Sequence, residues 1–399
     1  MSGEGMSEEG MSDEAPRDEG LATRLLHPLV RASRAFEGLA TPVYRASTVL
    51  FADMADVGED RPSDSQYRYG LHGTPTYREL AARIAQSEGA HSVELVPSGL
   101  NAIALTYLAL CKAGDHVLLP RNAYGPNGRA GRFLARLGIE IESYDPLVGE
   151  GIAAQIRENT SLVWIESPGS ISMEVPDLPA IARAAHARGA LVALDNTYAA
   201  GVLLDGFGHG ADVCVQALTK YQAGHGDVLM GSASARDPAI AARLAEARHV
   251  MGLGASPDDC ALVLRGLATF PLRLKHVGTS ALRIAEWLKA RPEVARVLHP
   301  ALPGCPGHDV WKRDFTGSAG IFSIVLASET SGAASRFVDS LRLFKIGYSW
   351  GGTVSLALTY PDLDRPSASE GPRLVRLNIG LEDAEDLLAD LDQAFDAIR

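Results

Sequence analysis

From about residue 80 to about residue 265 the chain alternates between two hydrophobic rhythms. "TYRELAARIAQSEGA" spaces its apolar residues at helical intervals and closes on glycine. "SVELVPSG" is a short strand running into a turn, and "LNAIALTYLALCKAG" is a second, more apolar helix. "DHVLLP", "SLVWIESP", "GALVALDNT" and "ADVCVQAL" are compact apolar runs of strand length, most of them separated by helical stretches such as "DLPAIARAAHARG". Strands alternating with helices build a parallel sheet, and strands apolar on both faces require helices over both sides. The pattern predicts an α/β fold.

Beyond about residue 265 the rhythm changes. "GTSALRIAEWLKARPEVARVLHP" reads as helix then strand, "AGIFSIVLA" as an apolar strand, "GAASRFVDSLRLF" as a helix, and "LVRLNIGLEDAEDLLADLDQAF" as strand then helix. This predicts a smaller C-terminal α+β domain over 266–399, following a large domain over 76–265. Residues 21–75 are loop-rich and read as an arm that must pack on something, a neighbouring subunit being the candidate. Residues 1–20 are acidic and short of apolar side chains, too few to offset chain entropy by burial, and are expected to be a disordered tail.

Composition narrows the function. A chain of 399 residues, 46% hydrophobic and 22% charged, has enough material for a deep core. The net charge of −12 disfavours nucleic acid, whose backbone is held by clustered Lys and Arg. The cysteines Cys111, Cys214, Cys260 and Cys305 are far apart and form no CxxC, so no disulfide framework and no metal site is suggested. No stretch reaches the ~18 uninterrupted apolar residues of a membrane helix, and the N-terminus lacks a basic region followed by an apolar one. A cytoplasmic location and no membrane association are expected.

In open α/β sheets the reactive crevice lies beyond the carboxyl ends of the strands. "VPSGLNAI" carries a strand through Ser98 and Gly99 into a helix start, where backbone amides suit phosphate; taken alone, a plain helix cap followed by a turn is the commoner explanation. "LVALDNT" ends on Asp195, a turn cap or a buried carboxylate in need of a cation. "VQALTKY" ends on Lys220, which either snorkels to water or, if desolvated, becomes a nucleophilic amine. Together they suggest pyridoxal phosphate, with an aldehyde for lysine, a ring nitrogen for aspartate and a phosphate for the helix terminus.

The run "LTKYQAGHGDVLMG" resembles the cofactor-attachment segment of the pyridoxal-phosphate-dependent family of cysteine and methionine metabolism. "TPVYRASTVLF", "YGLHGTPT", "VPSGLNAI", "NAYGPN", "YSWGG" and "VRLNIGLED" extend the resemblance from about Leu25 to the C-terminus. "IESPGSISMEV" and "YSWGG", with Trp350, look most like the bacterial cystathionine β-lyase branch.

The resemblance implies fold-type I, the aspartate-aminotransferase-like architecture, with a mostly parallel seven-stranded sheet, and it implies a homotetramer with active sites shared between subunits. It implies that Lys220 forms the Schiff base and acts as the base, that Asp195 partners the ring nitrogen, and that Tyr124 is catalytic, stacking on the ring and assisting transfer. Ser98, Gly99, Leu100 and Thr219 would hold the phosphate, with Tyr69 reaching it from a neighbouring subunit. Arg376 would clamp the substrate carboxylate, and Tyr348, Ser349 and Trp350, with Tyr69, would shape the substrate side. The implied reaction is β-elimination from L-cystathionine. A γ-elimination, a broad cysteine-S-conjugate lyase and a catalytically silent relative are the alternatives. Leu71 and His72 replace an arginine common in the arm, Ala217 replaces a phosphate-binding serine, and Thr353 and Val354 stand where an aromatic residue and a glutamate are frequent.

Overall fold

The computed structural model describes residues 20–26, 38–57, 67–363 and 368–398. The expected acidic tail, apart from Gly20, lies outside them.

The first sheet contains β1 (Ser92–Val96), β2 (His116–Pro120), β3 (Glu140–Tyr144), β4 (Thr160–Glu166), β5 (Leu191–Asp195), β6 (Val213–Gln216) and β7 (Gly231–Ala235). They lie in the order β1-β7-β6-β5-β4-β2-β3. The run from β3 to β6 is parallel, and β7 pairs antiparallel with both β6 and β1. The fold is the mostly parallel α/β sheet anticipated above. Successive residues of a strand serve opposite faces. Leu162 and Trp164 pack with α3 (Gly99–Leu110) and α6 (Pro238–Val250), whereas Val163 and Ile165 pack with α5 (Leu178–His186).

Two strands escape the apolar pattern. β3, "EIESY", is a polar edge strand, and β7, "GSASA", has side chains too small to read as strand-forming. Small residues are what β7 requires, because a Cβ at Gly231 would lie 2.3 Å from the Ser98 carbonyl oxygen. The strand passes directly under the start of α3.

The second sheet has the order β10-β11-β12-β9-β8, from β8 (Val294–Leu298), β9 (Ile321–Leu326), β10 (Lys345–Ile346), β11 (Leu356–Thr359) and β12 (Leu374–Asn378). Its core is closed by α8 (Phe270–Lys289), α10 (Ala333–Asp339) and α11 (Ala384–Phe395) through Ile284, Leu288, Phe337, Leu391 and Phe395. A further cluster joins the two sheets, packing Leu218 and Tyr221 with α7 (Pro257–Leu267), the start of α8, and Ala319 and Ile321. Short helices α4 (Gly125–Leu134) and α9 (His308–Asp314) lie in the connections.

At the N-terminal side α1 (Leu21–Leu26) buries Leu25 against α2 (Pro75–Glu88), and Arg83 donates to the Leu25 carbonyl at 2.7 Å. Residues 38–57 form no regular element beyond one bridge from Thr48 to Tyr69, and they expose Leu39, Leu50 and Met54 by 96, 90 and 81%. Among the described residues no helix is long and apolar enough to cross a membrane.

Candidate active site

The parallel strands β4, β5 and β6 end on one cavity of about 1380 Å³. Asp195, last residue of β5, is buried, and its Oδ1 accepts from the Thr197 hydroxyl at 2.5 Å and the Thr197 N–H at 3.1 Å. Burial raises its carboxyl above the ordinary range, while Thr197 and the Lys220 charge pull it down. A cationic N–H presented to this carboxylate would relieve that cost.

Lys220 lies in the turn after β6. Its Nζ donates to Ser349 Oγ at 2.6 Å and sits 5.3 Å from the centre of the Trp350 ring. Burial, reinforced by the positive charge of Arg376, brings its pKa down to about 8 against the pull of Asp195. A substantial neutral fraction near pH 8 makes this amine a competent nucleophile. Ser349 holds a left-handed backbone at φ +83°, a costly conformation for a residue with a side chain, and its carbonyl accepts from Arg376 Nη2 at 3.2 Å. Arg376 is buried and lies 5.2 Å over the Tyr360 ring. Burial lowers its pKa.

At the other end of the cavity Ser98 caps α3, its Oγ accepting from the Asn101 N–H at 3.1 Å. Gly99 and Leu100 occupy the first turn, where amides have no intrahelical acceptor. A Cβ at Gly99 would come within 2.6 Å of the Ala217 Cβ, so α3 starts directly against the end of β6. The methyl of Ala217 fills that contact, and its N–H donates to Thr197 Oγ1 at 3.0 Å. The Thr219 hydroxyl donates to the Met230 carbonyl at 3.1 Å and accepts from the Met230 N–H at 2.9 Å. It must turn away from that carbonyl to serve a phosphate.

Tyr124 sits at the start of α4, its N–H donating to Glu166 Oε2 at 2.6 Å. Burial raises its phenol pKa. Tyr348 and Trp350 line the cavity beside Ser349. Every sequence-predicted site residue except Tyr69 lines this cavity. Tyr69 lies half-exposed on the arm with its ring edge toward His72. Leu71 and His72 rest on α6, where Arg248 donates to the Leu71 carbonyl at 2.9 Å and the His72 ring lies 4.2 Å from that of His249. Neither these two nor Thr353 and Val354 line the cavity.

Sequence reasoning missed Thr197, whose hydroxyl ties the ends of β5 and β6 together. Its signal was the spacing two residues after Asp195, where a hydroxyl can reach back. It also missed Arg121, Arg129 and Arg132, which line the cavity and have no ion pair among the described residues.

The donor set fits pyridoxal phosphate: amides at a helix N-terminus, a desolvated amine, and a buried carboxylate raised by burial. A mostly parallel α/β sheet with this set at its strand ends defines a pyridoxal-phosphate-dependent enzyme. Residues 22–396 match the model of the Cys/Met metabolism PLP-dependent enzyme family, to which the chain belongs. It is 46% identical over 387 residues to a Rhizobium johnstonii protein, covering 95% of this chain and 96% of that one. It is 38% identical over 390 residues to the Escherichia coli cystathionine β-lyase MetC, covering 95% and 98%. The structure of CalE6, a methionine γ-lyase from Micromonospora echinospora, superposes with a TM-score of 0.85 at 34% identity over 94% of this chain and 99% of that one. Relatives also include an L-alanine/L-glutamate racemase of Wolbachia pipientis, 37% identical over 92% of this chain and 95% of the other.

Proposed function

We propose that the protein is a carbon–sulfur β-lyase that converts L-cystathionine to homocysteine, pyruvate and ammonia. The observation that carries this reading is the depressed Lys220 amine in one cavity with Asp195 and Arg376. The 38% identity to a named cystathionine β-lyase over nearly the whole of both chains supports the substrate.

Pyridoxal phosphate in this cavity supplies an aldehyde that condenses with amines and a ring that withdraws electrons from Cα. Asp195 keeps a proton on the ring nitrogen, and Thr197 keeps Asp195 aimed. Ser98, Gly99 and Leu100 hold the phosphate, with Thr219 once its hydroxyl turns and with Tyr69 of a second copy. Tyr124 holds the ring. Arg376 binds the α-carboxylate through its planar fork. Lys220 Nζ takes the proton from Cα. The Cβ–S bond then breaks with its electron pair on sulfur, and Lys220 returns the proton to that sulfur. The remaining three-carbon fragment is hydrolysed to pyruvate and ammonia.

L-Cystathionine carries two carboxylates. Arg376 suits the near one, and the guanidiniums of Arg121, Arg129 and Arg132, which form no ion pair among the described residues, suit the far one. The exposed apolar arm and the position of Tyr69 outside its own cavity favour a homotetramer of two shared-site dimers. Incubation with L-cystathionine and identification of both products tests the reaction. Pyruvate with homocysteine is expected, whereas 2-oxobutyrate with cysteine would make the enzyme a γ-lyase.

A further inference from the structure

Lys220 stands on a short turn whose rigidity has a source outside the cavity. The Lys220 carbonyl accepts from the Gly224 N–H at 2.8 Å, closing a single turn over residues 220–224. Arg273, near the start of α8, reaches into it. Its Nη1 donates to the Tyr221 carbonyl at 2.8 Å, and its Nη2 to the carbonyls of Gly266 at 2.7 Å and Gln222 at 3.4 Å. Its Nε donates to the Thr269 hydroxyl at 3.0 Å. The fit leaves no spare room, since a Cβ at Gly224 would lie 1.9 Å from Nη1, and one at Gly266 would lie 2.2 Å from the Gln222 oxygen.

Arg273 is 9% exposed and forms no ion pair among the described residues. Burial brings its pKa down to about 10. A buried cation held only by neutral groups is costly, and Gly266 offsets part of that cost by presenting a carbonyl from the negative end of the α7 dipole. A well-packed apolar side chain would fill this place without a buried charge. What the guanidinium adds is direction: it ties the peptide units just past Lys220 to the end of α7.

We infer that Arg273 is a positioning residue for Lys220, fixing the turn that aims its amine into the cavity. This rests on Lys220 being the amine that holds the cofactor. Arg273 touches neither cofactor nor substrate. With the clamp gone, Lys220 keeps its desolvated surroundings but loses its fixed approach, so the cofactor link and the chemical step suffer while substrate binding by Arg376 does not.

The test compares Arg273→Ala and Arg273→Lys with wild type, all loaded with pyridoxal phosphate, by pH titration of the visible absorbance of the lysine-linked cofactor and by steady-state kinetics. Leu391→Ala, in α11, controls for loss of core packing. Arg273→Ala is expected to move the titration midpoint by about half a pH unit or more and to lower kcat roughly tenfold or more at little-changed KM. Leu391→Ala should lower stability and leave the midpoint in place. Arg273→Lys, whose single ammonium cannot span the Tyr221 and Gly266 carbonyls, should fall between. A folded Arg273→Ala with a wild-type midpoint and kcat overturns the inference. If that variant does not fold, a wild-type midpoint in Arg273→Lys overturns it and a shifted one supports it. Absence of lysine-linked absorbance in wild type would instead remove the assignment of Lys220 itself.

Discussion

The strand-end site and the N-terminal arm organise their chemistry in opposite ways. At the strand ends each anchor has a partner within the chain: Asp195 is held by Thr197, Lys220 by Ser349, and Ser349 in turn by Arg376. The arm offers Leu50 and Met54 almost wholly to solvent and carries Tyr69 outside the strand-end cavity of its own chain. Polar groups in the first region are organised before anything binds. On the proposed assembly, the second becomes useful once another copy covers its apolar residues. The difference separates what one chain does alone, which is tune an amine and a carboxylate, from what an assembly adds.

That separation can be broken from either side. The largest effect is expected at Arg376: on the proposed reading Arg376→Ala should raise KM for the amino acid roughly 100-fold and leave the intensity of the lysine-linked cofactor absorbance nearly unchanged, while its titration midpoint rises because the charge that helps depress Lys220 is gone. Equal damage to the absorbance would mean that the two functions are not divided as described. Next, Leu50→Asp combined with Met54→Asp should reduce the assembled mass in sedimentation and lower kcat about tenfold, by withdrawing the partner's phosphate contact. An unchanged mass with full activity would detach the arm from the site.

Two smaller effects need no substrate and probe the strand-end region alone. Lys220 has a folded pKa of about 8, below its ordinary 10.5. Below pH 8 both folded and unfolded chains hold the proton and the cost of burying the charge is constant. Between pH 8 and 10.5 the unfolded chain binds more protons, so stability rises with pH. Cofactor-free Lys220→Met should therefore be more stable than wild type at pH 7 by about 2 kcal/mol, with the gap closing toward pH 10.5, as followed by denaturant unfolding.

Glu88 works in the other direction. It is buried behind the floor of the site, where Gln216 donates to its Oε1 at 2.6 Å, and burial raises its pKa to about 7 from 4.5. Stability is present below pH 4.5 and is lost as pH rises through 7, because the unfolded chain releases the proton first. Glu88→Gln should be stabilising by about 1 kcal/mol at pH 8 and close to neutral near pH 4.5. A variant whose advantage does not depend on pH would contradict the protonated carboxyl.

Much of this was legible in the sequence because the relevant signals are local. Apolar runs mark β2, β4, β5 and β6, and the polar residue that ends or follows such a run falls at the crevice, which is how Asp195 and Lys220 stand out. β7 was not legible. Its "GSASA" is dictated by the approach of the Ser98 carbonyl to Gly231, a contact between distant parts of the chain. The left-handed backbone at Ser349 is hidden for the same reason. Arg273 is hidden more deeply, since an arginine in a helix reads as surface and only the fold places its guanidinium under the Lys220 turn. Thr219 is the reverse case: it lines the cavity, but its hydroxyl is bonded to Met230.

The proposed chemistry turns on Lys220 as the amine that would hold the cofactor. The most direct measurement is to load the protein with pyridoxal phosphate, trap the cofactor covalently with borohydride, and map the modified peptide by mass spectrometry. A single modification on Lys220, absent from Lys220→Ala, is the expected result. A label on another lysine in wild type, with Lys220 unmodified, would contradict it.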